Sequence, residues 1–85
     1  MQHVEIYTTR TCPYCIAAKR LLDAKGVAYD ETDVGADPRL RAAMTARAGG
    51  RYTVPQIFIG GQHVGGCDDI HLLDHQGRLD ILLAG

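Results

Sequence analysis

The sequence predicts an α/β fold in which a mixed four-stranded sheet carries helices on both faces, with elements in the order β-α-β-α-β-β-α. Segments that alternate apolar and polar side chains, typical of strands, are separated by segments with apolar residues at helical spacing. A helix between the first two strands requires a right-handed crossover and parallel pairing. A two-residue glycine turn between the last two strands indicates an antiparallel pair.

The first half of the chain is predicted to form a strand, a helix and a second strand. Residues 3–8 alternate in polarity, and a short polar loop follows. Pro13 suits the first helical position because the N–H that it lacks would have no partner there. Gly26 is a good C-terminal stop, and residues 27–34 are the weaker second strand. Five residues of this helix are expected to face inward: Ile16, Ala17, Leu21, Leu22 and Ala24.

The second half is predicted to add a helix, a hairpin and a last helix. Asp37-Pro38 opens the second helix, which carries Leu40 and Met44 and ends at Gly49-Gly50. Residues 54–59 are the strongest strand, and Gly60-Gly61 is the tight turn to a returning strand at residues 62–65. Asp68 or Asp69 is expected to cap the third helix, which Gly77 is expected to divide. Its inward positions are expected to be Ile70, Leu72, Leu73, Leu79, Leu82 and Leu83.

Length and composition limit the classes of protein. The 85 residues suffice for one domain, residues 1–85, and 46% hydrophobic with 22% charged residues excludes a disordered chain. The net charge of −1 disfavours a nucleic-acid partner. The longest apolar run, residues 14–18, is too short to span a membrane, and the first residues do not resemble a secretory signal. Three cysteines, an odd number, favour a reducing cytoplasm over a secreted disulfide scaffold.

Two cysteines, separated by Pro13 and Tyr14, stand where the first strand ends and the first helix begins. The first N–H groups of a helix have no partners, and the helix dipole adds partial positive charge there. Both effects would stabilise a thiolate at Cys12, which is therefore the expected nucleophile. Cys15, one turn into the helix and more shielded, is the expected resolving thiol. Arg10 adds a local cation.

A pair of this spacing is also half of a zinc site. Cys67 and His71 could supply the other half of a tetrahedral Cys3His set. The strand–loop–helix context of Cys12 and Cys15 favours redox chemistry, so no metal is expected.

Three motifs follow one another along the chain: Thr11-Cys12-Pro13-Tyr14-Cys15, Thr53-Val54-Pro55 and Gly65-Gly66-Cys67-Asp68-Asp69. Together they closely resemble the dithiol glutaredoxins, and the string VPQIFI-GG-HVGGCDD is similar to the third type of bacterial glutaredoxin. The resemblance runs essentially from end to end. It implies a thioredoxin-like fold and a glutathione-dependent thiol–disulfide oxidoreductase that reduces protein disulfides and protein–glutathione mixed disulfides.

The resemblance also implies a binding site for glutathione. Pro55 is expected to be cis, with the Val54 backbone turned toward Cys12 to pair with the cysteine of glutathione as an added strand does. The first 52 residues carry eight Lys or Arg and six Asp or Glu, a net charge of +2, and the remainder carries one Arg and four Asp, a net charge of −3. This division suits a ligand that carries both signs of charge. By themselves, Thr53-Val54-Pro55 is an ordinary strand start and the two aspartates are ordinary caps. The implied contacts are Arg10, Tyr14, Arg51, Thr53, Val54, Pro55, Gly66, Cys67, Asp68 and Asp69.

Within that site, the glycine carboxylate is expected to meet Arg10 or Arg51, and the γ-glutamyl end is expected to meet the segment that starts at Gly66. Backbone N–H groups at a helix start suit its carboxylate, and an aspartate suits its ammonium group. Glutathione is a co-substrate, restored by glutathione reductase and NADPH, and no cofactor is tightly bound. The expected partners are glutathionylated or disulfide-bearing clients, with ribonucleotide reductase one candidate, and the expected state is a cytoplasmic monomer.

Three other functions remain open from the residues alone. One is a thioredoxin-like reductase that a flavoprotein supplies with electrons. Another is a carrier of an iron–sulfur cluster or zinc, which Pro13 after the nucleophile disfavours. The third is an electron donor that serves a single client.

Overall fold

The computed structural model describes all 85 residues, Met1 to Gly85, and contains eight elements. In chain order they are β1 (Val4–Thr8), α1 (Pro13–Ala24), β2 (Asp30–Asp33), α2 (Pro38–Arg47), β3 (Gln56–Ile59), β4 (Gln62–Gly65), α3 (Cys67–His75) and α4 (Leu79–Ala84). The predicted order is confirmed, and the last helix is divided at Gly77, whose φ of 73° favours glycine. Strands β2 and β3 are shorter than the predicted segments.

The strands form one mixed sheet in the order β2-β1-β3-β4. Strand β1 pairs in parallel with β2 and antiparallel with β3, and β3 pairs antiparallel with β4. The predicted pairing directions are therefore correct. Gly60 and Gly61 join β3 to β4 with φ values of 60° and 80°, the left-handed conformation that a tight two-residue hairpin requires at both positions.

The main hydrophobic core lies between one face of the sheet and helices α1, α3 and α4. Alternate residues of β1 and β3 point into it, as the period of two in a strand requires. The cluster consists of Val4, Ile6, Ala18, Leu22, Val27, Ile57, Ile59, Cys67, Ile70, Leu79 and Leu83.

The opposite face of the sheet meets α2. The Arg47 guanidinium lies 4.0 Å from the centre of the buried Phe58 ring, and its two terminal nitrogens bond both carboxylate oxygens of Glu5. Tyr7 meets Phe58 edge to face, with ring centres 5.7 Å apart. The chain therefore has helices on both faces, as predicted.

Three of the expected inward positions are wrong. Ile16 and Leu72 are 46% and 56% exposed, and Ala24 is exposed as well. Helix α1 instead buries the stripe of Cys15, Ala18 and Leu22, which lies at the spacing of one helical face. In α3 the buried positions are Cys67 and Ile70, so Leu72 turns toward solvent, and in α2 only Met44 is buried.

The predicted N-termini of α1 and α2 are confirmed, whereas the predicted N-cap of α3 is not. The Asp37 side chain caps α2 by accepting from the Arg39 N–H at 2.9 Å. The N-cap of α3 is Gly66, so the prediction of Asp68 or Asp69 as the cap is wrong. Asp69 is the third helical residue, and its carboxylate reaches back to the Gly66 N–H at 2.7 Å. None of the helices is both long and apolar enough to cross a membrane.

Candidate active site

Cys12 is the N-cap of α1, at the point where the chain leaves β1. Its backbone is extended, and its sulfur accepts a hydrogen bond from the Cys15 N–H at 3.1 Å. This N–H has no acceptor within the helix, so a sulfur placed here receives both a hydrogen bond and the positive end of the helix dipole. The arrangement stabilises a thiolate at the N-cap position.

Cys15 lies beneath Cys12, with 1% of its surface exposed against 9% for Cys12. Burial raises the pKa of Cys15 to about 12, the neighbouring Cys12 adds to the rise, and the Thr9 backbone N–H partly opposes it. At neutral pH Cys15 is therefore a protonated thiol. Cys12 is therefore the more accessible of the two sulfurs, and Cys15 is the more shielded.

The segment at residues 52–55 runs beside Cys12. The Val54–Pro55 peptide is cis, as the resemblance implies, and the Val54 carbonyl lies 3.7 Å from the Cys12 sulfur. Arg41 donates to the Tyr52 carbonyl from Nε at 3.1 Å and from Nη2 at 2.9 Å. The backbone that faces the thiol is thus held from α2.

A cleft of about 270 Å³ extends from this segment to the start of α3. Nine residues line it, and all nine belong to the ten expected to contact glutathione. They are Tyr14, Arg51, Thr53, Val54, Pro55, Gly66, Cys67, Asp68 and Asp69. The tenth, Arg10, lines a separate depression beside Asp33 and Gly35. Cys12 contacts the cleft through Val54.

Charges of both signs meet at the α3 end of the cleft. Arg51 Nη1 donates to Asp69 Oδ2 at 3.0 Å, and the same oxygen accepts from the Gly66 N–H. The hydrogen bond from Gly66 and the Arg51 guanidinium hold the pKa of Asp69 below its ordinary value. From the sequence, the glycine carboxylate of glutathione is expected to meet Arg10 or Arg51, and the structure places the Arg51 guanidinium beside Gly66 and Asp69 at the α3 end of the cleft. Asp68 is exposed.

The third cysteine, Cys67, is the first residue of α3 and lines the cleft. Burial, and then the charge of Asp68, raises the pKa of its thiol. Its sulfur lies 3.5 Å from Nδ1 of His71, which is one turn further along the helix. No three His, Cys, Asp or Glu side chains are gathered closely enough to hold a metal ion, so the tetrahedral set considered from the sequence is not assembled.

Sequence reasoning missed two residues that hold the cleft. Arg41 bonds the Tyr52 carbonyl, and Gln56 bonds Thr53 through both its backbone carbonyl and its hydroxyl. Arg41 leaves no signal in the sequence, because its partner lies on another element. Gln56 leaves one: it is a single amide in an otherwise apolar strand.

A capped thiol with a second, buried thiol one helical turn below it can exchange disulfides, because the first sulfur attacks and the second closes on it. With this fold, the chain is a thiol–disulfide oxidoreductase of the thioredoxin-like class. The family model for glutaredoxin matches residues 4–64. The chain belongs to the glutaredoxin family.

Relatives match over nearly the whole chain. A glutaredoxin of Pseudomonas aeruginosa is 56% identical over 84 residues, which are 99% of each chain. Glutaredoxin 3 of Escherichia coli is 54% identical over 83 residues, covering 98% of this chain and 99% of the relative. Among solved structures, a Brucella melitensis glutaredoxin is 55% identical with a TM-score of 0.86, covering 98% of this chain and 89% of the other. A buckwheat glutaredoxin–glutathione complex is 30% identical with a TM-score of 0.89, covering 98% and 77%.

Proposed function

We propose that the protein is a glutathione-dependent oxidoreductase that reduces protein disulfides and protein–glutathione mixed disulfides through Cys12 and Cys15. The observation that carries this proposal is the cleft between Val54 and the start of α3, which begins beside the nucleophile and ends in paired charges. A related buckwheat protein was solved as a complex with glutathione. Glutathione has one thiol, two carboxylates and one ammonium group, which suit these features.

In this proposal the cysteine of glutathione pairs with the backbone of Val54, which brings its sulfur to Cys12. The γ-glutamyl carboxylate lies at the first N–H groups of α3, where Arg51 adds a positive charge. Arg51 donates one of its five N–H groups to Asp69, so other donors are available to the ligand. The exposed Asp68 faces the ammonium group. The glycine carboxylate lies toward the open end of the cleft.

Deglutathionylation needs only Cys12. Its thiolate attacks the glutathionyl sulfur of a mixed disulfide, a Cys12–glutathione disulfide forms, and the client leaves as a thiolate that takes up a proton. The thiolate of a second glutathione then attacks the glutathionyl sulfur and releases glutathione disulfide and the Cys12 thiolate. Glutathione reductase returns the disulfide to two glutathiones with electrons from NADPH.

Reduction of a protein disulfide needs both cysteines. Cys12 attacks one client sulfur, and Cys15 then attacks the Cys12 sulfur, so the client leaves with both thiols reduced. Once Cys12 is in a mixed disulfide it carries no charge, so its contribution to the raised pKa of Cys15 is lost and Cys15 ionises more readily. Two glutathiones then reduce the Cys12–Cys15 disulfide.

A pair of assays on three variants tests the proposal. Cys15→Ser should keep deglutathionylation of a peptide–glutathione disulfide and lose reduction of a protein disulfide, both measured with glutathione, glutathione reductase and NADPH. Cys12→Ser should lose both activities. Ala46→Ser is the control, because Ala46 is an exposed residue of α2 outside the cleft, and it should keep both. Deglutathionylation by Cys12→Ser would show that the nucleophile is misassigned.

We further propose that the 85-residue chain acts as a single domain and a monomer in the cytoplasm, where a reduced glutathione pool supplies electrons. Its macromolecular partners are clients that carry a disulfide or a glutathionyl group, and ribonucleotide reductase is one such candidate. Neither a nucleic acid nor a membrane is among the proposed partners.

A further inference from the structure

Gln56 is a fully buried polar residue directly after the cis proline. Both ends of its side-chain amide are engaged. Nε2 lies 3.0 Å from the Thr53 carbonyl and 3.2 Å from the Thr53 hydroxyl, and Oε1 lies 2.6 Å from His63 Nε2. The amide therefore links strand β4 to the residue that precedes Val54 in the cleft.

The direction of these bonds follows from their partners. A backbone carbonyl can only accept, so the amide must present its NH2 group to Thr53 and its oxygen to His63. His63 must then donate from Nε2. Every polar atom of the buried Gln56 side chain has a partner, and the Thr53 carbonyl is held in one orientation.

We infer that Gln56 is a positioning residue for glutathione recognition: by holding Thr53, it fixes the Val54 backbone in the orientation that pairs with the bound tripeptide. This inference rests on the proposed function. Gln56 lines no part of the cleft, so it acts through Thr53 and Val54. A backbone segment that is already ordered loses little conformational freedom when the ligand binds. A segment without the hydrogen bonds from Gln56 must be ordered by the ligand, and that ordering lowers the affinity.

Two variants separate this role from a general contribution to stability. Gln56→Met keeps the length and volume of the side chain and removes every hydrogen bond. Gln56→Glu keeps an acceptor for His63, and as a carboxylate it has no proton to donate to Thr53. Gln62→Met is the matched control, because Gln62 is exposed at the start of β4. All variants are made with Cys15→Ser, so that mixed disulfides on Cys12 persist.

The measurement compares two mixed disulfides on the same sulfur. The Cys12 thiolate is equilibrated with glutathione disulfide or with 2-hydroxyethyl disulfide, and each reaction forms one Cys12 mixed disulfide and releases one thiolate. The properties of the Cys12 thiol contribute equally to both equilibrium constants, so a change in their ratio between variants reports a change in recognition of the tripeptide. We expect this ratio to fall about tenfold in both Gln56 variants and to stay unchanged in Gln62→Met.

The outcomes are distinct. A parent Cys15→Ser protein with equal constants for the two disulfides would contradict the proposed function itself. A clear preference for glutathione in the parent, retained within twofold by both Gln56 variants, would overturn the positioning role. A fall in both constants with an unchanged ratio would also overturn it, because that result indicates a general structural role.

Discussion

A brief exposure of the reduced protein to iodoacetamide at pH 7 tests whether burial suppresses ionisation of the Cys15 thiol. Only the thiolate reacts, so the rate depends on the ionised fraction. With its pKa raised to about 12, Cys15 is ionised to about one part in 10⁵ at that pH. An unstructured cysteine, with a pKa near 8.5, is ionised to roughly 3%. The difference in thiolate is about 3,000-fold.

Part of this difference is offset because a more basic thiolate is a better nucleophile. With a Brønsted coefficient of about 0.4–0.5 over roughly 3.5 pKa units, the Cys15 thiolate is about 30–60 times more reactive than the peptide thiolate. Cys15 should therefore react about 50–100-fold more slowly than a cysteine in an unstructured peptide. Mass spectrometry of the digested protein, with less than about a tenth of the protein modified, gives the rate for each cysteine separately.

The variant Cys12→Ser sharpens the test. It removes the neighbouring sulfur that adds to the raised pKa of Cys15 and leaves burial, the largest cause, in place. The rate at Cys15 should rise in this variant and remain below that of the peptide. If Cys15 in the wild type reacts within about threefold of the peptide rate, burial does not suppress ionisation and its assignment as the shielded resolving thiol is refuted.

Three further predictions concern stability. Asp69→Ala removes the acceptor for the Gly66 N–H and should lower Tm by about 4–8 °C at pH 7. The pKa of Asp69 is lowered by folding, so this loss should be complete above pH ~4 and vanish as the pH falls through the folded pKa; an equal loss in acid would contradict the argument. Gly65→Ala should lower Tm in melts followed by circular dichroism, because a Cβ would collide with the Asp69 carboxylate and φ is 113°; an unchanged Tm would refute this. Phe58→Ala should cost about 3–5 kcal/mol in urea unfolding, because it leaves a cavity where a buried ring packs; an unchanged midpoint would show that burial of this ring does not stabilise the fold.

The order and pairing of the strands could be predicted because local signals determine them. The Gly60-Gly61 pair specifies a tight hairpin, and a crossover helix specifies parallel strands. The face on which each helix packs could not be predicted as well. Helix α1 has apolar residues on most sides, so its periodicity does not choose between Ile16 and Ala18, and the packing of Cys15 under the site decides it.

The cleft residues could be predicted from the motifs, because three separated segments each carry a recognisable pattern. Their mutual arrangement could not. Arg51 and Asp69 are eighteen positions apart, and nothing in the sequence indicates that they pair with each other. The role of Gln56 could not be predicted either, because a single amide in a strand does not indicate that its hydrogen-bond partners are Thr53 and His63.

The sheet ends on one side at β2, the four-residue strand Asp-Glu-Thr-Asp. Its outer rim offers unpaired backbone groups to any extended chain that approaches. Glu31 is bound by Lys19 at 2.9 Å, but two copies of this edge brought side by side would still oppose the carboxylates of Asp30 and Asp33 from each strand, and that repulsion works against strand addition between molecules. The acidic residues of β2 therefore disfavour pairing between two molecules along this edge of the sheet.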